Sequence, residues 1–393
     1  MIEADRLARL QPGIFSEINL QIRESSGRGH EIIDLSVGSP DMPPPKHVKQ
    51  VLIDSVAEDS NYGYTLTEGI QELKLAVASW YAKKYSVNPD PDKEILSLMG
   101  SQDGLSHLFL ALINDGETVI VPDPGYPIYF AGPLLAGAVL YKMPLLASND
   151  FLPDFAAIPT EVCKKARIMI LNYPSNPHAA TASIGFFQQA VDFAKEYDIK
   201  ICHDFAYSEL SYDGFKNTSF LQVQGSFDVG VEFHSISKTF NLAGCRLGFV
   251  VGNAEMIDAL RKLKSNIDYG IFRPVQLAAV AALNGSEECV TKNAMAYQAR
   301  RDVLIDVLAK YGWSIPKPMA SMFIWAKIPE GFSSSLSFCR ELLQETGVAI
   351  VPGNAFGEHG EGYVRIGLVK DASTLYEAGK RVGLFLLKYK TGA

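Results

Sequence analysis

The sequence has no block of lysine and arginine, no long apolar run, and no cysteine arrangement of the kind that holds a metal. Lys+Arg number 36 against 44 Asp+Glu, the formal charge is −8 and the basic residues are dispersed, which argues against nucleic acid and anionic membranes as partners. No stretch of about 18 or more apolar residues occurs, so no membrane span is expected. Cys163, Cys202, Cys245, Cys289 and Cys339 are odd in number and lack the spacing of zinc sites or disulfide frameworks. The opening Met1-Ile2-Glu3-Ala4-Asp5 shows no charged-then-apolar leader, and with these thiols it leads to the expectation of a reduced, cytoplasmic setting. Neither an internal repeat, a low-complexity tract nor a basic helix-turn-helix extension stands out.

What is present is enough for a sizeable core. The 393 residues are 47% hydrophobic, which suits two domains burying about 75% of their unfolded surface. A helix-like stretch, Ile14 to Glu24, precedes an apolar strand, Glu31 to Val37, and the Pro-rich Pro40-Asp41-Met42-Pro43-Pro44-Pro45 reads as a linker. From residue 46 to 285 short β-rich runs alternate with helical patterns. The runs are Ile95 to Met99, Thr118 to Val121, Val139 to Met143, Arg167 to Leu171, Lys200 to His203, Val231 to His234 and Leu247 to Val251. That alternation predicts an α/β fold with a mostly parallel sheet between helices, its site at the strands' carboxyl edge. After Gly285 the pattern changes to a long helix, Glu287 to Lys310, strands around Met322 to Ile328, Val348 to Val351 and Tyr363 to Leu368, and a closing helix, Ala372 to Leu387. We expect a large domain over 46–285 and a smaller α+β domain from 1–45 and 286–393.

The segment richest in chemistry is Ser235-Ile236-Ser237-Lys238, with Arg246 eight residues past the lysine. An amine flanked by hydroxyls and followed by a guanidinium suits a pyridoxal-phosphate enzyme, which needs a lysine for a Schiff base and donors for a phosphate. The same pattern also occurs in surface loops where the lysine is merely solvated. Asp204 closes the run Lys200 to His203 and Tyr207 follows three residues later. A carboxylate there keeps a pyridine nitrogen protonated and a tyrosine bonds the ring's phenolic oxygen; a helix cap and a packing aromatic are the plain alternatives. Asn176 stands in the loop Asn172-Tyr173-Pro174-Ser175-Asn176-Pro177, where its amide faces the same ring oxygen or supports an Asx turn. Ser101, Gln102 and Asp103 precede the amphipathic run Leu105, Leu108, Leu112, so their N–H groups open a helix and cradle a phosphate, the Asp103 carboxylate fitting an N-cap better than a phosphate contact.

These residues, taken in order with Gly38 in Val37-Gly38-Ser39-Pro40, Tyr64 in Tyr64-Thr65-Leu66-Thr67-Glu68-Gly69, Tyr126 in Asp123-Pro124-Gly125-Tyr126-Pro127 and Arg365 in Val364-Arg365-Ile366-Gly367, carry a resemblance. Over nearly its whole length the chain resembles the class I/II aminotransferases of fold type I, and among them the LL-diaminopimelate aminotransferase group with its methionine, alanine and aromatic relatives. The resemblance implies a large domain with a mostly parallel mixed seven-stranded sheet, bound pyridoxal 5′-phosphate, and a homodimer with sites at its interface. It further implies Lys238 as cofactor anchor and proton carrier, Asp204 on the ring nitrogen, Tyr207 and Asn176 on the ring oxygen, and Tyr126 stacked on the ring. Ser101, Gln102, Asp103, Ser235, Ser237 and Arg246 would hold the phosphate together with Tyr64 from the second subunit. Gly38, Asn176 and Arg365 would meet the substrate, Arg365 pairing with its α-carboxylate. The activity implied is ping-pong transfer of an α-amino group between an L-amino acid and a 2-oxo acid, with glutamate and 2-oxoglutarate as one pair.

Two departures stand out. The family continues Asn-Pro with Thr-Gly, whereas here His178-Ala179-Ala180 follows Pro177, so the turn is expected to avoid positive φ or to take another path. Gly13, two residues before Phe15, stands where the diaminopimelate group has a substrate-side tyrosine. Phe272 and Arg273 belong to the specificity loops, Arg273 reading either as a second carboxylate binder or as a surface charge. The rivals are a carbon–sulfur β-lyase on the same cofactor, a non-catalytic cofactor-binding homologue, and a zinc hydrolase on His203, Asp204 and His234, whose spacing is wrong for a helical metal site.

Overall fold

A computed structural model gives the structure, which describes residues 2–10, 14–27 and 31–391. A first short strand, β1 (Ile33–Asp34), leads into the helix Lys46–Val56, and seven strands then build the main sheet. They are β2 (Ile95–Leu98), β3 (Thr118–Asp123), β4 (Val139–Pro144), β5 (Ala166–Asn172), β6 (Lys200–Asp204), β7 (Gly230–Ser235) and β8 (Gly248–Gly252), in the order β2-β8-β7-β6-β5-β3-β4. Only β8 runs antiparallel to its neighbours, so the sheet is mostly parallel and mixed, as the alternation of elements predicts.

Successive residues of these strands serve different faces, since strand side chains alternate. In β5, Met169 and Leu171 join one core with the helices Gln71–Tyr85, Ile184–Tyr197 and Arg273–Asn284. Ile168 and Ile170 join the opposite core with Ser101–Leu112, Ile128–Leu135 and Ala254–Ile267. The helix Ile184–Tyr197 shows how the sequence sets such an element. Its N-cap Ser183 accepts from the Phe186 N–H, its buried residues Phe186, Phe187, Ala190, Val191 and Ala194 recur at helical spacing, and Asp198 ends it at φ 53°. Fully burying a side chain such as Phe187 contributes about 2–3 kcal/mol.

A third core gathers Leu304, Ile324, Phe338, Val364 and Leu386 with Leu35 and, from the segment after β6, Tyr207, Leu210 and Tyr212. Its strands are β9 (Phe323–Lys327), β10 (Val348–Ala349), β11 (Val351–Pro352) and β12 (Tyr363–Gly367). β1 pairs in parallel with β10, while β11, β12 and β9 form an antiparallel sheet. The strand Ile33–Asp34 thus pairs with the C-terminal part of the chain. The strand expected over Glu31 to Val37 shrinks to Ile33–Asp34 because the Asp34 carboxylate accepts from the Ser36 N–H (2.8 Å) and hydroxyl (2.6 Å), turning the chain out of the ladder. The run Val348 to Val351 divides into β10 and β11, which serve different sheets. The Pro-rich segment is tied down, not loose: Arg300 of the helix Glu288–Lys310 forks onto the Asp41 carboxylate at 2.7 and 2.8 Å. No described helix is long and apolar enough to cross a membrane.

Candidate active site

Four parallel strands, β2, β7, β6 and β5, finish at one edge of the sheet, where register places Asn172 beside Asp204 and Asp204 beside Phe233. The chain leaves β7 through Ser235 into a single turn, Ile236–Thr239, that carries Lys238. It leaves β2 through Gly100, at φ 92°, into the helix Ser101–Leu112. Two glycines allow this junction. A Cβ on Gly100 would stand 2.5 Å from the Arg246 guanidinium, and one on Gly248 would stand 2.6 Å from the His234 carbonyl and 2.8 Å from the Ser101 nitrogen.

Between this edge and β9 and β12 lies a cavity of about 420 Å³. The predicted residues Gly38, Ser101, Gln102, Tyr126, Asn176, Asp204, Tyr207, Ser235, Ser237, Lys238, Arg246 and Arg365 all line it. Asp103 and Tyr64 do not. The Asp103 carboxylate is no N-cap either: Gly100 holds that position without a side-chain bond, and Asp103 lies 3.6 Å from both His107 and Lys264. Tyr64 is 91% exposed, with its ring 4.9 Å from that of Tyr269. Gly13 lies outside the described residues. Arg273 meets Glu72 at 3.2 Å on the surface, away from the cavity.

The cavity's charges are strongly biased by burial. The Lys238 amine donates to the Gly38 carbonyl at 2.5 Å. Desolvation, then the positive Arg365 and Arg246, push its pKa down to about 8, so the amine gives up its proton easily. Asp204 accepts from the Tyr129 hydroxyl at 2.7 Å and the Ala206 N–H at 3.1 Å. Burial pushes its pKa up, opposed by these two donors and by His203 and His234 behind it. Burial, then the nearby Asp204, raises the Tyr207 hydroxyl's pKa.

Arg365 is held from four sides. Its guanidinium donates to the Asn176 side-chain oxygen at 2.9 Å and the Ser36 carbonyl at 2.6 Å. Its carbon lies 4.2 Å from the Phe323 ring centroid and 4.8 Å from that of Phe356. Guanidiniums stack favourably on aromatic faces, and the contact fixes the plane of the fork. Tyr126 donates to the Gln102 amide oxygen at 3.3 Å. Tyr129, Ser36, Phe323 and Phe356 escaped the sequence reading. Tyr129 had a signal, one helical turn after Tyr126; the others come from distant segments and had none.

The loop after β5 settles the first departure differently from either expectation. Ala179 takes φ 57°, so the turn keeps positive φ with an alanine in it. The zinc reading is overturned. His203 and His234 bond the fully buried Glu232 at 2.9 and 3.2 Å on the far face of the sheet, where Tyr81, Ser219 and the Phe220 N–H complete its shell. Among the described residues the one group with metal-like spacing is Asp103, His107 and Asp268, which includes none of the three.

The donor set fits pyridoxal 5′-phosphate: a half-buried amine of low basicity, a buried carboxylate with two supporting donors, and a helix start with an arginine beside it. The comparisons agree. The family model for aminotransferase class I and II matches residues 30–382. The LL-diaminopimelate aminotransferase of Moorella thermoacetica is 45% identical over 382 residues, covering 97% of this chain and 98% of the relative. That of Dehalococcoides mccartyi is 45% identical over 363 residues, 92% and 93% of the two chains. Substrate-bound BacF from Bacillus subtilis superposes with a TM-score of 0.95 at 37% identity, covering 98% of each chain. A probable N-succinyldiaminopimelate aminotransferase from Thermus thermophilus gives 0.90 at 36%, covering 94% and 99%. The chain belongs to the class I and II aminotransferases, a pyridoxal-phosphate-dependent family of fold type I, and is an enzyme of that kind.

Proposed function

We propose that this cavity holds pyridoxal 5′-phosphate and moves an α-amino group between an L-amino acid and a 2-oxo acid in two half-reactions. The observation that carries the reading is the meeting of three groups in one cavity: the Lys238 amine, the Asp204 carboxylate and the Arg365 fork. When bound, the cofactor supplies an electron sink for the charge left on Cα as its proton departs. Asp204 keeps the ring nitrogen protonated, and Tyr129, bonded to the carboxylate, favours its charged form. Tyr207 and Asn176 take the ring oxygen, and Tyr126 covers the ring face.

The phosphate falls to the N–H groups of Ser101 and Gln102, the hydroxyls of Ser235 and Ser237, and the Arg246 fork. Lys238 would hold the cofactor, and with substrate bound its amine would take the proton from Cα and deliver one to the cofactor's C4′ carbon. Arg365 pairs with the α-carboxylate beside Asn176 and Gly38, fixing the substrate so that the Cα–H bond faces Lys238.

The second copy of the chain completes the site. Tyr64 is exposed beside Leu66, Tyr269 and Phe272, which together make an apolar surface suited to a homodimer in which Tyr64 reaches the neighbouring phosphate. We infer a large domain over 46–285 and a small one from 1–45 and 286–393, with the cavity between them; the gathering of Leu304, Ile324, Phe338, Val364 and Leu386 in one core supports that reading. The five free cysteines accord with a cytoplasmic setting.

For the donor, an LL-diaminopimelate-type amino acid leads on relatedness, with methionine, alanine and aromatic amino acids as the other classes and glutamate with 2-oxoglutarate as the partner pair. A panel of these amino acids, each followed by the change in cofactor absorbance and by 2-oxo acid release, tests the reading. Conversion with at least one donor supports it. Release of pyruvate, ammonia and a thiol in place of an aminated cofactor would make the chain a β-lyase.

A further inference from the structure

His178 occupies the turn that carries Asn176, and its surroundings give it more than a packing role. The turn is closed by the Ser175 N–H on the Ala180 carbonyl (3.0 Å) and the Ala179 N–H on the Ser175 carbonyl (3.1 Å). Closing it this way forces Ala179 to φ 57°, where its Cβ crowds the following carbonyl. Something must hold an alanine there. The His178 ring is 6% exposed, and its Nε2 shares a 2.9 Å hydrogen bond with the Ser175 hydroxyl across the turn. Phe151 stacks on the ring at 5.0 Å with planes 17° apart, and the Phe151 carbonyl accepts from the Tyr173 hydroxyl at 2.8 Å. Burial drives the imidazole's pKa down to about 3, so the ring stays neutral at ordinary pH and brings no charge to the site.

The staple acts on one outgoing bond. Asn176 is fixed at its backbone by the Asn172 side chain (2.8 Å), and its own side-chain oxygen accepts from Arg365 at 2.9 Å. That bond holds one terminal nitrogen of the guanidinium while the Ser36 carbonyl holds the other. We propose that His178 is a positioning residue for the substrate α-carboxylate: by bridging Ser175 to Phe151 it keeps the strained turn closed, and so keeps Asn176 against Arg365. This rests on the active-site reading above. If His178 relaxed, the turn would open at Ala179, Asn176 would withdraw, and Arg365 would present a mobile fork.

The test uses holoenzyme and 2-aminoisobutyrate, an amino acid without a Cα proton, whose binding is read from cofactor absorbance without turnover. His178→Ala is expected to weaken that binding about tenfold, the factor that about 1.4 kcal/mol represents, and to raise KM similarly while kcat changes little. In His178→Ala/Ala179→Gly the glycine removes the strain, and binding returns to within about twofold of wild type. Ala179→Gly alone binds as wild type does. Should His178→Ala not fold, the double variant decides: a folded double variant with near-wild-type binding supports the proposal, and one still weakened overturns it. Wild-type binding by His178→Ala also overturns it. Failure of wild-type holoenzyme to respond to 2-aminoisobutyrate would strike the active-site reading itself, separately from His178.

Discussion

At the scale of single residues, Lys238 makes the sharpest prediction. Its folded pKa of about 8 lies below the ordinary 10.5, so between these values the unfolded chain binds the proton that the folded chain has lost. Stability of the cofactor-free protein therefore rises with pH across that window, by an amount on the order of 3 kcal/mol. Lys238→Met lacks this increment, and urea unfolding of both proteins at the two ends of the window will show it. An equal response in wild type and variant would mean the amine is not desolvated. Tyr129→Phe leaves Asp204 one donor short in a buried place, a loss of about 1–3 kcal/mol, and cofactor affinity measured by equilibrium titration should fall by about tenfold or more. The residues that line the cavity were legible, because an amine, a carboxylate or a guanidinium at a strand end has few other uses. Their supports were not. Nothing in the sequence around Phe323 or Phe356 says that both rings will meet Arg365, since that pairing depends on how β9, β12 and the segment after β11 come together.

At the scale of elements, the cavity depends on the close junction of β7, β8 and the helix Ser101–Leu112. Gly248→Ala places a methyl against the His234 carbonyl and the Ser101 nitrogen, backbone atoms that have no rotamer to yield. We expect a cost of about 1–3 kcal/mol in urea unfolding, with weaker retention of cofactor because the helix start is displaced. An unchanged midpoint together with unchanged retention would show that the junction is looser than drawn. The strands β2, β3, β7 and β8 were readable because both faces are buried, which makes each one a short run rich in apolar residues, whereas β4 at the sheet's edge is exposed at Val139, Lys142 and Pro144. β1 was read too long: the apolar pattern continues to Val37, but the Asp34 carboxylate captures Ser36 and ends the pairing. The turn at His178 was misjudged for a related reason. Residue preference alone argues against alanine at positive φ, and it does not show the bond from His178 to Ser175 within the turn or the tertiary stack on Phe151.

At the scale of the whole molecule, the claim is that two copies share each site. Mixing the inactive variants Lys238→Ala and Tyr64→Ala, with subunit exchange, should restore about a quarter of wild-type activity, since half the dimers are then mixed and each has one intact site. Absence of recovery, with exchange confirmed by mass, would place Tyr64 outside the neighbouring site. The strands and helices that follow the main sheet were visible as a change of rhythm after Gly285; the dimer came from resemblance, because an exposed tyrosine at 64 does not announce what covers it. The central claim remains the bond between the cofactor and one amine. Borohydride reduction of the purified, pyridoxal-phosphate-loaded protein followed by peptide mapping tests it most directly: the account predicts a covalent pyridoxyl label on the peptide containing Lys238, and a protein that takes up no cofactor, or carries the label on another lysine, would contradict it.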